Sequence, residues 1–595
     1  MQWTGLEDTN NNPLMTPVWG YGQKGLFTWP GKTFEVQSGS TVKVKWKNKL
    51  LDAAGNPLPH LLPVDTSLHW CYSLPGYEGY SIDVNGVPVV AHLHGGHSDF
   101  QYDGNPEFFF SPGWGVRGPQ WVEKTYVYDN SQPAGNLWYH DHALGITRLN
   151  VYAGMAGFYF VRDADDTGKP GNPRTLPAWP YEKAYAIQDR MFRDNGELFY
   201  PAFPGDPYYD DFIGGEVPGG ALPEPPFIGG GPTALAEFFG DHMVVNGLIW
   251  PKENVEPRNY RLHLLNGTDS RFMAIQFRVA TSSTSKTPTG GHLPFYVVGS
   301  DQGLASSATP TEMLLSEPGS RYYIVFYFDQ VAFGSRIIME NLGGDEPFGG
   351  DIPGVVAYPE TKIVMAFDVN LNIDEATTAA GLPAQADVFD PAEITNAFIP
   401  NTNTVDRVRK VALFEGKDEF GRLQPLLGTA QPATDFAGDP IYWPNDPVYS
   451  SVGLESTDQM EGSIAWHSPT TENPDIDTTE EWEIWNVTGD AHPVHLHLVH
   501  FDILDRQEIK WDSNVDEDGF IPADSSPADD GIYLVSQPTV QHNSVAGDPT
   551  TYGNGFRIVH PSNPDDAYGS PVPKPAGYVE NAPKDMVTAL PGQVT

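Results

Sequence analysis

The chain has almost no cysteine. Its one cysteine, Cys71, excludes any intrachain disulfide and leaves the redox compartment open. Long hydrophobic runs are also missing: nothing reaches the ~18 apolar residues that a membrane-spanning helix needs. The N-terminus, MQWTGLEDTN, has neither a basic region nor an apolar core and does not read as a signal peptide, so any export signal was removed or lies outside this sequence. Basic residues are scarce, 34 against 77 acidic ones, giving a net charge of −43. That balance argues against nucleic acid or an anionic membrane surface as the main partner. It suits an extracellular or periplasmic location, or a salty environment in which carboxylates keep the surface hydrated. Capped segments with a 3.6-residue period are few, AEITNAF (392–398) being a candidate short helical turn.

Glycine (61) and proline (55) are abundant, and they punctuate apolar and aromatic segments instead of forming low-complexity tracts. TFEVQSGSTVKVKWKN (33–48), RYYIVFYF (321–328) and TEEWEIWNVT (479–488) alternate with period two. The pattern is that of an all-β protein built from sandwiches or barrels. At 595 residues the chain is too long for one core. Three blocks emerge, 1–165, 175–375 and 405–595, separated by the proline-rich stretch 167–180 and by a linker reaching about Thr404. The glycine- and proline-rich insertion 204–232 reads as a surface loop.

Histidine carries the chemistry. HPVHLH places His492, His495 and His497 within six residues, AHLHGGH contains His92 and His94, and WYHDH contains His140 and His142. A spacing of two puts both imidazoles of each HxH pair on one face of a strand. His492 precedes a proline and can point elsewhere. One HxH pair arises as often from core filling as from ligation. Three such motifs in strand-like sequence, holding seven of the 17 histidines, are a much stronger signal. Imidazole nitrogens suit copper, zinc, iron or nickel. A closed zinc site needs only four ligands, so seven imply more than one metal.

Long stretches around these motifs resemble one family. PVWGYGQKGLFTWPGKTFEV, VVAHLHGGHSDFQYDGNPE, LWYHDHALGITRLNVYAGMAGFY, MVVNGLIWPKENVEPRNYRLHLLNGTDSRF and WNVTGDAHPVHLHLVHFDILDRQ are similar to three-domain multicopper oxidases of the branch holding spore-coat laccase, bilirubin oxidase and phenoxazinone synthase. The resemblance implies three cupredoxin-like Greek-key β-barrel domains and type 1, type 2 and binuclear type 3 copper. It assigns His92 and His495 to type 2 copper, His94, His140, His142 and His497 to the type 3 pair, and His492 to type 1 copper. It also matches Asp103 to an acidic residue that delivers protons, a position that equally suits a turn aspartate before glycine. The implied reaction couples one-electron oxidation of phenols, aromatic amines or a metal-ion reductant such as Mn(II) to reduction of O₂ to water.

The family's His-Cys-His motif does not occur before Thr595. Cys71, in LHWCYS, lacks the flanking histidines and reads as an ordinary semi-buried cysteine. The alternatives are a longer gene product, a second polypeptide carrying the motif, or a non-catalytic scaffold or coat protein. The segment PKDMVTALPGQVT is expected to leave an unpaired strand edge, completed by about 35–60 further residues. Elsewhere, Asn514, Asp516 and Asp518 faintly resemble a calcium loop but lack its closing glutamate, which favours a solvated acidic turn. Met155 and Met460 read as core, His97 and His500 as neighbours of the ligand motifs, and no nucleophilic triad, phosphate loop or CxxC pair occurs. If the acidic surplus reflects adaptation to salt, the melting temperature rises between ~0.01 and ~1 M NaCl, where the screening length contracts from ~30 to ~3 Å. A chain equally stable in low salt counts against that adaptation.

Overall fold

Strand formation follows the alternation closely in the first block. The computed structural model describes residues 1–68, 74–210, 222–224, 227–374, 389–395, 397–541 and 551–595, so Cys71 and the middle of the 204–232 insertion lie outside the described residues. The first block is organised around β1 (Gly31–Gln37), β2 (Ala91–His94), β3 (Gly135–Asp141) and β4 (Ala156–Arg162), in the sheet order β1-β4-β3-β2. β1 alternates exposed and half-buried residues, whereas β3 and β4 are buried throughout. Those two central strands are covered on both faces, polar Asn136, His140 and Asp141 included.

The middle block packs two sheets. One contains β5 (Glu182–Phe192) and β6 (Asn259–Asn266), the other β7 (Met273–Ala280). To the first sheet belong β8 (Phe295–Ser300), β9 (Gly303–Thr311) and β10 (Arg321–Tyr327), and to the second β11 (Arg336–Asn341) and β12 (Ile363–Val369). β10 corrects the sequence reading: RYYIVFYF alternates, yet six of its seven strand residues are buried. Tyr322, Ile324 and Phe326 enter the core between the sheets, while Tyr323 and Val325 pack against Leu176, Val298 and Phe389 on the other side. Two separate apolar layers cover the strand.

The third block holds β13 (Arg407–Lys417), β14 (Leu423–Thr429), β15 (Glu480–Asn486), β16 (His492–His495), β17 (Gln507–Ile509), β18 (Met586–Ala589) and β19 (Gln593–Val594). Its sheet includes the path β14-β13-β15-β19-β17, and β16 pairs with β18. β19 therefore has neighbours on both sides, Trp485↔Val594 on β15 and Gln507↔Val594 on β17. The unpaired edge expected for this segment is absent at β19, which lies in the gap between β15 and β17 and buries Val594 against Trp485, whereas β18 pairs with β16 alone.

The chain is all-β, and its longest described helix is the six-residue Thr147–Tyr152. AEITNAF supplies only the 3₁₀ turn that ends at Glu393. Among the described residues no helix is long and apolar enough to cross a membrane. Met155 and Met460 are core residues. The 204–232 insertion departs from a simple surface loop: Tyr209, Leu222 and Phe227 are buried and pack against Phe420 of the third block.

Buried ion pairs tie segments together. Arg422 Nη1 donates to Asp65 Oδ2 at 2.6 Å, joining the third block to the first. Fully buried Arg271 donates through Nε to Asp189 Oδ2 at 3.0 Å and also binds Asp345, whose carboxylate accepts from Thr361. Arg271→Leu leaves both carboxylates buried without their cation. It is expected to destabilise the chain by about 3–5 kcal/mol, read as a lower melting temperature by calorimetry.

Candidate metal centre

Two strands of the first block set four of the imidazoles. β2 and β3 are antiparallel with His92 opposite His140 and His94 opposite Trp138, so period two aims His92, His94 and His140 at one space. His142 follows β3. Asp141 fixes that turn from the opposite face, its carboxylate accepting from the Val90, Ala143 and Asn150 N–H groups. Burial raises the Asp141 carboxyl to about 7.

The third block inserts two more imidazoles. β16 lies antiparallel to β18, pairing His495 with Met586 and His492 with Ala589. His495 stacks on His94 with centroids 3.6 Å apart and planes 14° apart. His497 stacks on His92 at 4.1 Å and 17°. His142 lies 5.5 Å from His497 and 5.6 Å from His140 between ring centroids. Six of the seven expected histidines thus interleave, although His92 and His495 are more than 400 positions apart. His492, three residues before His495, faces away. Its Nε2 pairs with Thr488 Oγ1 at 2.8 Å and stands 3.4 Å from Glu415 Oε1.

Each ring is oriented by what its other nitrogen touches. His92 Nδ1 donates to the Asp103 carbonyl at 2.5 Å, His140 Nδ1 to the Asp141 carbonyl at 2.7 Å, and His495 Nδ1 to the Asp585 carbonyl at 2.8 Å. His497 Nδ1 pairs with Asp103 Oδ2 at 2.7 Å. Asp103 is buried and sits against β2 because Gly104, at φ +84°, brings the main chain onto the Ala91 carbonyl, where a Cβ would stand 2.3 Å away. The nitrogens left over are the test of a metal site. His92 Nε2, His142 Nδ1 and His495 Nε2 are buried with no hydrogen-bond partner. Ligating atoms of His92, His94 and His495 lie within 4.8 Å of one another, as do those of His92, Asp103 and His497. A first-row ion with bonds of ~2.0–2.1 Å spans ~4 Å between opposite ligands, so the donor set fits copper or a similar cation after slight contraction.

Sequence reasoning missed Asp585, which is fully buried beside His94 and His495, and its partners Arg321 and Gln302. The only hint was a charged Lys584-Asp585 pair heading the apolar strand β18. His97 and His500 stack on each other at 5.9 Å, next to the cluster. The 512–518 segment closes its own turns, Asp516 Oδ1 accepting the Asp518 and Phe520 N–H groups.

Burial first, and then repulsion among the rings, holds His92 and His140 well below the ordinary imidazole range. Burial also dominates at His94, at His142, lowered to about 4, and at His495. The rings are therefore neutral at pH 7, the form that binds metal. In the unfolded chain these histidines take up protons near pH 6.5, so the unfolded state binds more protons between about 6.5 and 4. Stability of the metal-free protein is expected to be fully present above pH 6.5 and to fall as the pH drops toward 4. Melting temperatures measured from pH 8 to 4 check this, and a flat profile contradicts it.

Family models described as multicopper oxidase match residues 86–166 and 444–528, which contain all seven histidines. A laccase from Bacillus subtilis (strain 168) is 31% identical over 493 residues, 83% of this chain and 76% of that protein. One from Bacillus stratosphericus is 31% identical over 498 residues, 84% and 77% of the two chains. A laccase from Haloferax volcanii is 29% identical over 499 residues, 82% and 68%. Among solved structures, a multicopper oxidase from Aquifex aeolicus aligns at a TM-score of 0.46 with 19% identity, covering 80% of this chain and 79% of its own. The chain belongs to the multicopper oxidases, oxidoreductases that use type 1, type 2 and type 3 copper.

Proposed function

We propose that this oxidase couples one-electron oxidation of a phenol, aromatic amine or similar small reductant to four-electron reduction of O₂ to water. The observation that supports it most directly is the interleaving of six imidazoles from two blocks around one space, three of them, His92, His94 and His140, buried. His92 and His495 would hold type 2 copper, His94, His140, His142 and His497 the type 3 pair, and His492 type 1 copper. Copper supplies the reversible one-electron chemistry and the O₂ reactivity that no side chain here possesses.

The chain's own residues orient, insulate and handle protons. Hydrogen bonds from the rings to the carbonyls of Asp103, Asp141 and Asp585 set which nitrogen of each ring faces the cluster. Burial of His92, His94 and His140 keeps bulk water from the space between them. Asp103 holds His497 through Oδ2, while its Oδ1 is buried without a hydrogen-bond partner. That oxygen is placed to hold or pass a proton beside the cluster. His492 and His495 occupy opposite faces of β16, so one short strand links the half-buried reductant side to the buried cluster. An extracellular or periplasmic location belongs to the same proposal, supported by the net charge of −43.

The test is copper loading of the purified chain, with copper counted per chain and oxygen uptake measured on phenols, aromatic amines, bilirubin and Mn(II). Copper-dependent uptake is expected once the full copper-ligand set, including the His-Cys-His motif, is present, and His495→Gln should then lower it by more than the ~10–100-fold typical of residues one step removed from a metal. A copper-loaded protein that carries the full ligand set and shows no oxygen uptake on any donor rejects the oxidase reading and favours a scaffold role.

A further inference from the structure

The middle block contributes none of the six imidazoles, yet its side chains reach the edge of the cluster. Arg321, at the start of β10, is fully buried and grips Asp585 with two prongs, Nη1 to Oδ1 at 2.7 Å and Nη2 to Oδ2 at 2.6 Å. Gln302 Nε2 donates to Asp585 Oδ2 at 2.5 Å and to the Gly95 carbonyl at 2.8 Å. Asp301 accepts the main-chain N–H groups of Asp585 and Met586 at 3.2 Å each, and its carboxylate stands 3.0 Å from Lys584 Nζ. The carboxylate and the main-chain N–H of Asp585 are therefore both held from the middle block.

The other side of Asp585 faces two imidazoles. Its Oδ1 lies 3.4 Å from His94 Nε2, and its carbonyl accepts from His495 Nδ1 at 2.8 Å. Close approach here needs a glycine. At Gly95, φ +86°, a Cβ would stand 2.6 Å from both Asp585 Oδ2 and Gln302 Nε2 and 2.8 Å from Arg321 Nη2. The residue after His94 thus lets the ion pair lie directly on the main chain that carries the ligand.

We propose that Asp585, locked by Arg321, is a positioning residue for the metal cluster, through which the middle block dictates which nitrogens of His94 and His495 face the metal. His94 Nε2 makes no hydrogen bond of good geometry, yet Asp585 Oδ1 is the acceptor 3.4 Å from it and favours the His94 proton there, leaving Nδ1, 3.4 Å from His140 Nε2, for the metal. The Asp585 carbonyl keeps the His495 proton at Nδ1, leaving the unpartnered Nε2. Two stacked rings are thereby made to present opposite nitrogens, a choice that neither ring makes alone. The positive charge of Arg321 balances Asp585, so no uncompensated carboxylate is buried beside the site. This inference rests on the reading of the six imidazoles as copper ligands.

The test compares three variants of the full chain. Asp585→Asn keeps the shape and the carbonyl that holds His495, so its damage is confined to the carboxylate's partners, His94, Arg321 and Gln302. The double variant Asp585→Asn/Arg321→Gln removes both charges and leaves no buried charge unpaired. Asp345→Asn breaks a comparable buried pair with Arg271, and its hydrogen-bond partners include no imidazole. Copper(II) is titrated into each metal-free protein against a competing chelator, electron paramagnetic resonance spectra are recorded, and melting temperatures are taken without metal.

The two Asp585 variants are expected to bind copper ~10–100-fold more weakly and to show altered copper hyperfine splitting. Asp345→Asn should melt earlier with both copper readouts unchanged. Wild-type affinity and spectrum in the double variant overturn the inference, as does equal weakening by Asp345→Asn. A wild-type chain that takes up no copper instead defeats the reading of the cluster itself, and the inference falls with it.

Discussion

Imidazoles withdrawn from water within a few ångströms of one another, as His92, His94 and His140 are, can coexist only as neutral bases. A proton added to one of these three rings would sit in a low-dielectric space, away from water and close to the other rings. Neutrality leaves each ring with one N–H and one lone pair, and the N–H must go somewhere. In this protein it goes outward, to the carbonyls of Asp103, Asp141 and Asp585 from His92, His140 and His495. The lone pairs are left facing inward, and several remain without partners. A polypeptide that buries acceptors in this way has a use for a cation between them, and the rest of the architecture can be read as the means of holding that arrangement together.

Holding it requires two blocks to meet within ångströms. β2 and β3 form one wall and β16 the other, and the His94–His495 and His92–His497 stacks lie along the seam between them. Such a seam is weak if made only of rings that repel when protonated. The ion pairs around it supply alignment: Arg422–Asp65 joins the first and third blocks, and Arg321–Asp585 joins the middle block to the third beside the cluster. Removing one partner of such a pair strands a buried charge, so losing the alignment at these contacts is costly. The core of the third block, with Trp485 and Val594 packed together, anchors the sheet on which β15, β17 and β19 converge.

Local sequence carried a large part of this. Period-two patterning is a property of the strand itself, so the HxH pairs announced that His92 and His94 share a face, and that Pro493 frees His492 to differ. Seven histidines in three motifs fixed the ligand type, and the strand-and-turn rhythm fixed the all-β class. Alternation said less about β10, because whether a strand is covered on one face or two depends on what packs over it, and here two apolar layers do.

What the tertiary structure alone decided involves partners distant in sequence. The contact of Arg321 with Asp585 spans 264 positions and that of Asp103 with His497 spans 394, and neither leaves a periodic trace. The choice of nitrogen on each ring, the pairing of β19 on both sides, and the role of a glycine after His94 all follow from such contacts. An imidazole's residue type is written in the sequence, but its proton is placed by whichever acceptor the fold brings to its other nitrogen.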